Sequence, residues 1–258
     1  MSNKTGRNKR DTSGAQGNSS SWRSPRNNIN STKNDFKKLE IRNFPKDDGC
    51  THFISIPFDD EKFKNSFNAF RNDVLDNSKT YRINENIVQK TEKLHKTILN
   101  LKLSNKDEID RAKEVLEDEK GAIEEILKGS TAEKHVVIRG IKEPTNYMRT
   151  AFLFMKVISP ILQRIQGHLM KALQRANLTV LNNARGLPPQ IDQIVMISKN
   201  LLTPENTQNI DYTFNPGPIM RKYGNYEFGK FNITEMHLSR RYVYEDDGYF
   251  KNEMVLNF

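Results

Sequence analysis

The sequence predicts an α/β or α+β body behind a polar, basic tail, and three observations carry this. Short Ile-, Phe- and Val-rich runs alternate with segments whose apolar residues recur at helical spacing. The first 36 residues contain almost nothing apolar. The remainder, in a chain of 258 residues that is 35% hydrophobic, is enough for one large core or two small ones.

Residues 1–36 hold seven Lys/Arg and two Asp, a net +5 out of the total +9, so the remaining 222 residues carry only +4. Such a tail cannot bury enough surface to offset its ordering entropy and is expected to be disordered. Its Lys4-Thr5-Gly6-Arg7-Asn8-Lys9-Arg10 run is a candidate nuclear-targeting or nucleic-acid-touching patch, or simply a solvated tail. The single Cys50 excludes a disulfide framework and a Cys-based zinc site. No run approaches the ~18 consecutive apolar residues of a membrane span, and the N-terminus lacks the apolar run of a secretory signal. The chain is therefore expected to be soluble and intracellular, with no membrane partner.

The body opens with a strand over 51–58, THFISIPF, bounded by Pro57. Phe63, Phe67, Phe70, Val74 and Leu75 then mark an amphipathic helix. A second strand is expected over 94–103. From Ser104 to Lys128 the apolar set Ile109, Ala112, Leu116, Ile123 and Leu127 keeps helical period, with Ser104 and Asp107 spaced as a capping box and Gly129 as the stop. Strands follow over 135–141 and 150–158. Ser159-Pro160 opens a helix whose buried stripe runs from Ile161 to Ala176. After the Gly186-Leu187-Pro188-Pro189 break come a strand near 191–198, a polar loop over about 202–225, and one strand over 227–239.

One internal repeat bears on chemistry. Lys93-Leu94-His95-Lys96-Thr97 can be laid on Lys230-Phe231-Asn232-Ile233-Thr234, each with a Leu four positions after its Thr. On a strand, residues two apart share a face, so His95 would project with Thr97, and Asn232 with Thr234. Two such strands facing one cleft suit phosphodiester chemistry. Cleavage calls for a base on the nucleophile, an acid on the leaving oxygen and donors on the non-bridging oxygens, and a facing pair of His-x-Thr strands supplies all of these without a metal.

Thr51-His52-Phe53-Ile54-Ser55-Ile56-Pro57, the Phe-rich helix and Lys93-Leu94-His95-Lys96-Thr97-Ile98-Leu99 together resemble the two-histidine phosphoesterase superfamily. The resemblance is to the branch shared by the nuclear-localisation domain of an A-kinase anchoring protein and the first subunit of the activating signal cointegrator complex, from about Phe44 to the C-terminus. It implies an α+β fold of two pseudo-symmetric lobes, with antiparallel sheets flanked by helices and a central groove between them. It implies a tail over 1–43 and a phosphoesterase-like domain over 44–258, with no KH domain in the short polar N-terminal segment. It also implies RNA or a nucleotide phosphodiester as partner, no cofactor, and a nuclear or nucleocytoplasmic setting. There it would act in a multi-protein complex linked to transcription regulation or DNA alkylation repair.

On this reading His95 is the proton-transfer residue, with Thr97, Asn232 and Thr234 as phosphate donors. Asn232 stands where the second histidine belongs. An amide does not titrate near neutral pH, so binding is expected with weak or absent turnover. His237 lies at an odd offset from Asn232 and is no obvious replacement. Arg149, Lys156, Arg240 and Arg241 are candidate phosphate contacts, and Tyr223, Tyr226 and Phe228 are candidate stacking or core aromatics. His52, His135 and His168 are expected to be structural or surface residues, and no His pair has metal-ligand spacing. An active cyclic or 2′,5′-phosphodiesterase and a non-catalytic interaction scaffold remain the alternatives.

Overall fold

The computed structural model describes residues 49–129, 135–144, 150–182, 186–201 and 213–258. The expected tail lies outside them, as does Arg149. The described residues fall in one compact unit, Pro45–Phe258.

Strand β1 (His52–Pro57) is buried almost throughout and ends where proline removes a ladder donor. Helix α1 (Glu61–Asp76) starts at Asp60, whose carboxylate accepts from the Phe63 amide at 2.8 Å. Its Phe63, Phe67, Phe70 and Val74 fall on one stripe and are fully buried. A one-turn helix, α2 (Ser78–Tyr81), leads through two short 3-10 turns to β2 (His95–Lys102).

The expected long helix is two: α3 (Lys106–Asp118) and α4 (Lys120–Lys128), parted at Glu119. The N-cap is Asn105 rather than Ser104. Asn105 Oδ1 accepts from the Glu108 amide, and the Glu108 carboxylate accepts from the Ser104 amide at 2.6 Å. Strands β3 (His135–Ile141) and β4 (Phe152–Ile158) match expectation, as does α5 (Pro160–Arg175), although the Ser159 side chain makes no cap bond. A three-residue β5 (Thr179–Leu181), β6 (Gln193–Ser198), a short α6 (Gly217–Tyr223), β7 (Glu227–Asn232), β8 (Glu235–Tyr244) and β9 (Phe250–Asn257) follow among the described residues. Neither β5, α6 nor β9 was expected from the sequence.

Two antiparallel sheets result, flanked by helices: five strands in the order β5-β2-β1-β8-β9 and four in the order β6-β4-β3-β7. This is the α+β class. The expected single strand over 227–239 is broken at Ile233-Thr234, because the chain leaves one sheet for the other there. Asn232 pairs with His135 in the four-stranded sheet, and Glu235 pairs with Asn257 in the five-stranded one. Buried Ile233 and the Phe258 amide, which donates to the Thr234 carbonyl at 2.9 Å, hold the crossover.

Candidate functional site

The two sheets repeat one local geometry. In the first, His95 stands opposite Pro57 and Thr97 opposite Ser55, and the ladder then slips by one residue so that Leu99 faces Ile54. In the second, Gln193 stands opposite Lys156 and Val195 opposite Phe154, and the same slip follows so that Ile197 faces Leu153. Each bulge leaves the third residue after the first motif position unpaired, Ile98 in β2 and Met196 in β6. Gln193-x-Val195 therefore occupies in β6 the place that His95-x-Thr97 occupies in β2. In both strands these residues are half-buried and alternate with buried neighbours, so they share the wet face of their sheet.

His95, Thr97, Gln193 and Val195 line one recess of about 310 Å³, together with Lys96, Gln190, Ser198 and Phe250. It adjoins a cleft of about 700 Å³ that shares His95, Thr97, Gln89, Asn200 and Phe250 with it. The cleft lining carries Arg71, Lys90, Lys93 and Arg241 against one carboxylate, Glu85, and interleaves them with Phe53, Tyr242 and Tyr244. Cations between aromatic rings form the surface to which a phosphate chain bearing planar bases is complementary.

His95 Nδ1 lies 2.9 Å from the Lys93 carbonyl and must donate to it, which leaves the Nε2 lone pair as the ring's basic site. The ring sits among Phe53, Phe250 and Tyr249, with centroids 5.1, 5.2 and 6.4 Å away. Desolvation in this aromatic box lowers its pKa to about 4, with Lys96 and His237 adding to the shift and the Lys93 carbonyl opposing it. His95 is thus a neutral imidazole at physiological pH.

Lys96, on the opposite face of β2, is buried. Its Nζ donates to the Gln190 carbonyl at 2.6 Å and the Gln193 carbonyl at 2.9 Å. Burial brings its pKa down to about 8. Gln166 makes a parallel tie, donating to the Ile98 carbonyl at 2.8 Å and the Pro189 carbonyl at 2.9 Å. The Gln193 side chain in turn accepts from Lys142 Nζ at 3.1 Å.

Asn232 and Thr234 are not brought to this site. They line a separate depression of about 310 Å³ with Asp59, Asp60 and Glu235, and Asn232 Oδ1 lies 2.6 Å from His135 Nδ1. Two features correct the sequence expectation. The two residues are not on one strand, since the sheet crossover falls between them, so the alternation that would place them side by side does not apply. Three carboxylates at that depression also repel a phosphate.

The remaining candidates sort by contact. Arg240 pairs with Glu253 at 2.6 Å, and His168 pairs with Glu119 at 2.6 Å. Lys156 is an exposed residue of β4 beside Gln193. Tyr223 is buried and donates to Asp73 at 2.9 Å, Phe228 is core, and Tyr226 reaches Ser66 at 3.2 Å, so none of the three lines the cleft. His52 is buried, with Nδ1 2.9 Å from the Thr51 hydroxyl. His237 is buried against Tyr249, with Nε2 3.3 Å from Glu235 Oε1. Among the described residues no group of three His, Cys, Asp or Glu side chains is arranged to hold a metal ion.

The sequence reading missed Gln193 and Val195, because neither matches a His-x-Thr pattern. The signal that reveals them is the paired bulge, which exists only in the sheet register. It also missed Tyr242. The β8 strand holds on to β1 through the Arg241 amide and Thr51 carbonyl, 2.9 Å apart, while its pairing with β9 is interrupted between Ser239 and Tyr244. Tyr242 absorbs the distortion with φ +63°, a left-handed conformation that costs a non-glycine residue about 1–2 kcal/mol.

A family model described as the AKAP7 2'5' RNA ligase-like domain matches residues 50–258. Among solved structures, the TT0787 protein of Thermus thermophilus is similar at 12% identity and TM-score 0.47, over 80% of this chain and 97% of that one. Escherichia coli LigT, solved with 3'-AMP, is 9% identical at TM-score 0.43, over 81% and 98%. Kluyveromyces marxianus Usb1 is 13% identical at TM-score 0.38, over 81% and 97%. No curated protein matches the chain.

Proposed function

Because the chain belongs to the AKAP7 2'5' RNA ligase-like domain family, within the two-histidine phosphoesterase superfamily, we propose that it binds an RNA or nucleotide phosphodiester beside His95 and turns it over weakly or not at all. One observation carries this reading: the register that puts His95-x-Thr97 in β2 puts Gln193-x-Val195 at the matching place in β6. Cleaving a phosphodiester takes a proton from the attacking oxygen and returns one to the leaving oxygen. His95, neutral and with Nε2 as its basic site, is suited to the first transfer. Gln193 cannot make the second, since an amide neither gains nor yields a proton near neutral pH. General acid–base catalysis contributes roughly 10²- to 10⁴-fold, and losing one partner removes turnover on that scale while leaving hydrogen bonds to the phosphate. Val195 likewise offers no hydroxyl where β2 has Thr97.

The four cations of the cleft wall support an anionic ligand, and Thr97 and the Gln193 amide, which line the recess with His95, can donate hydrogen bonds to its phosphate. The basic run Lys4–Arg10 and the resemblance to the cointegrator branch support a nuclear or nucleocytoplasmic location. The same resemblance supports a role in a multi-protein complex serving transcription regulation or DNA alkylation repair.

The test is hydrolysis of 2′,3′-cyclic nucleotides and 2′,5′-linked oligoadenylate by wild type, His95→Ala, Gln193→His and the double variant, with nucleotide binding measured in parallel. The expected result is an inert, ligand-binding wild type and a Gln193→His rate that disappears with His95→Ala. Turnover by wild type that needs His95 would make the protein an active phosphodiesterase. Silence from all four with no nucleotide bound would leave an interaction scaffold.

A further inference from the structure

The hairpin of β8 and β9 carries a feature that neither the fold nor the proton-transfer site requires. Between the pairs Ser239–Asn252 and Tyr244–Phe250, four residues of β8 stand against the single Lys251 of β9, so residues 240–243 are extruded from that ladder. At their crest Tyr242 takes a left-handed backbone conformation that a bulky side chain avoids, and the residue remains 61% exposed on the wall of the cleft. Both features run against stability alone. Strain in a non-glycine residue persists where the surrounding structure holds it, and it concentrates at binding sites.

The ring's surroundings specify what it is poised to meet. The Arg241 guanidinium lies over it, 4.7 Å from the centroid, and Tyr242 makes no ring–ring contact among the described residues. Tyr244, two residues on, differs: Lys93 Nζ sits 3.7 Å over its ring and Phe250 packs against it at 5.1 Å. Tyr244 is thus already engaged, whereas Tyr242 presents an aromatic face backed by a cation. Both tyrosines share the cleft lining with His95, Lys90 and Lys93. Given the phosphodiester-binding reading of the same cleft, we infer that Tyr242 is a nucleobase-stacking platform. The base of a single-stranded oligoribonucleotide lies on the ring face turned away from Arg241 while the adjoining phosphate runs past Lys90 and Lys93 toward His95. Stacking on a π-face reads the presence of a base and not its edge, so the subsite is sequence-tolerant.

The experiment uses the full chain and two labelled eight-nucleotide probes, oligo(A) RNA and an abasic ribose-phosphate strand of the same length, followed by fluorescence anisotropy. Tyr242→Ala is expected to weaken oligo(A) binding roughly 5- to 150-fold, the range for removing one base–aromatic stack, and to leave the abasic strand unchanged. Tyr242→Phe should hold within about twofold of wild type, since the stacking face is retained. Tyr242→Gly, which suits the left-handed backbone, should lose oligo(A) as Tyr242→Ala does while remaining folded by circular dichroism. Equal losses on both probes, or undiminished oligo(A) binding by both the Ala and Gly variants, overturns the stacking platform while the cleft reading stands. Failure of wild type to bind either probe overturns the cleft reading, and the platform falls with it.

Discussion

Lys96 Nζ donates to the Gln193 carbonyl at 2.9 Å, tying the strand that carries His95 to the strand that carries its counterpart in the other sheet. The ammonium projects from β2 on the face opposite His95, so one dipeptide supplies a cleft residue and a strut between sheets. Replacing Lys96 with Met leaves the carbonyls of Gln190 and Gln193 without their donor. An unsatisfied buried acceptor costs ~1–3 kcal/mol, and the melting temperature is expected to fall by about 2–4 °C for each kcal/mol lost. Burial holds the Lys96 pKa at about 8, below its ordinary value of 10.5, so between those limits the unfolded chain binds the proton more tightly. Wild-type stability should therefore gain from this residue as pH rises from 8 to 10.5, and Lys96→Met should lose that component in urea titrations.

His95 should show the same sign at lower pH. Its folded pKa of about 4 lies below the ordinary 6.5. Stability falls as pH drops from 6.5 to 4, where the unfolded chain takes up a proton that the aromatic box resists. His95→Gln is expected to flatten that part of the pH–stability curve. The His95 ring protons should show no titration between about pH 6 and 8 by NMR.

Gln193→His and Asn232→His should behave differently. A rate that depends on His95 is expected from the first and none from the second, because Asn232 lies in an acidic depression bonded to His135. Asn232→Ala should leave nucleotide affinity unchanged and cost about 1 kcal/mol of stability, the net worth of one hydrogen bond, measured by denaturant unfolding.

Gly140→Ala should be among the more damaging small substitutions. Gly140 has φ +76°, and an added Cβ would lie 2.4 Å from the Gly224 carbonyl oxygen. The left-handed backbone and the backbone clash together are expected to cost roughly 2–4 kcal/mol, read from the urea midpoint.

Deleting residues 1–36 removes seven basic residues. Nonspecific RNA affinity and the slope of log K against log salt should both fall, the slope by ~0.7 for each lost phosphate contact. Binding in the cleft should survive, and a fluorescent fusion of the truncated chain should lose any nuclear accumulation that the Lys4–Arg10 run confers.

Most of the elements were legible because their causes are local. Phe63, Phe67, Phe70 and Val74 announce α1 by spacing alone, and Ser159-Pro160 marks the start of α5. His95 and Thr97 were legible because the motif sits whole within one strand. What escaped was whatever depends on a partner distant in sequence. Nothing local distinguishes Ile233-Thr234, where the chain passes between sheets, from the middle of a strand, and that crossover separates Asn232 from the position its sequence suggested.

The residues by themselves determined a body of mixed helices and antiparallel or parallel strands and the positions of α1 and α5, since hydrophobic period and capping are properties of consecutive residues, while the α+β class and the weight given to His95-x-Thr97 came from the family resemblance. Only the tertiary structure decided that Gln193 and Val195 line the recess with His95, that Lys96 joins the two sheets, and that Tyr242 stands in the wall of the cleft. Each of these follows from strand register, and register is set by which strands pair and where their bulges fall, which no single segment contains.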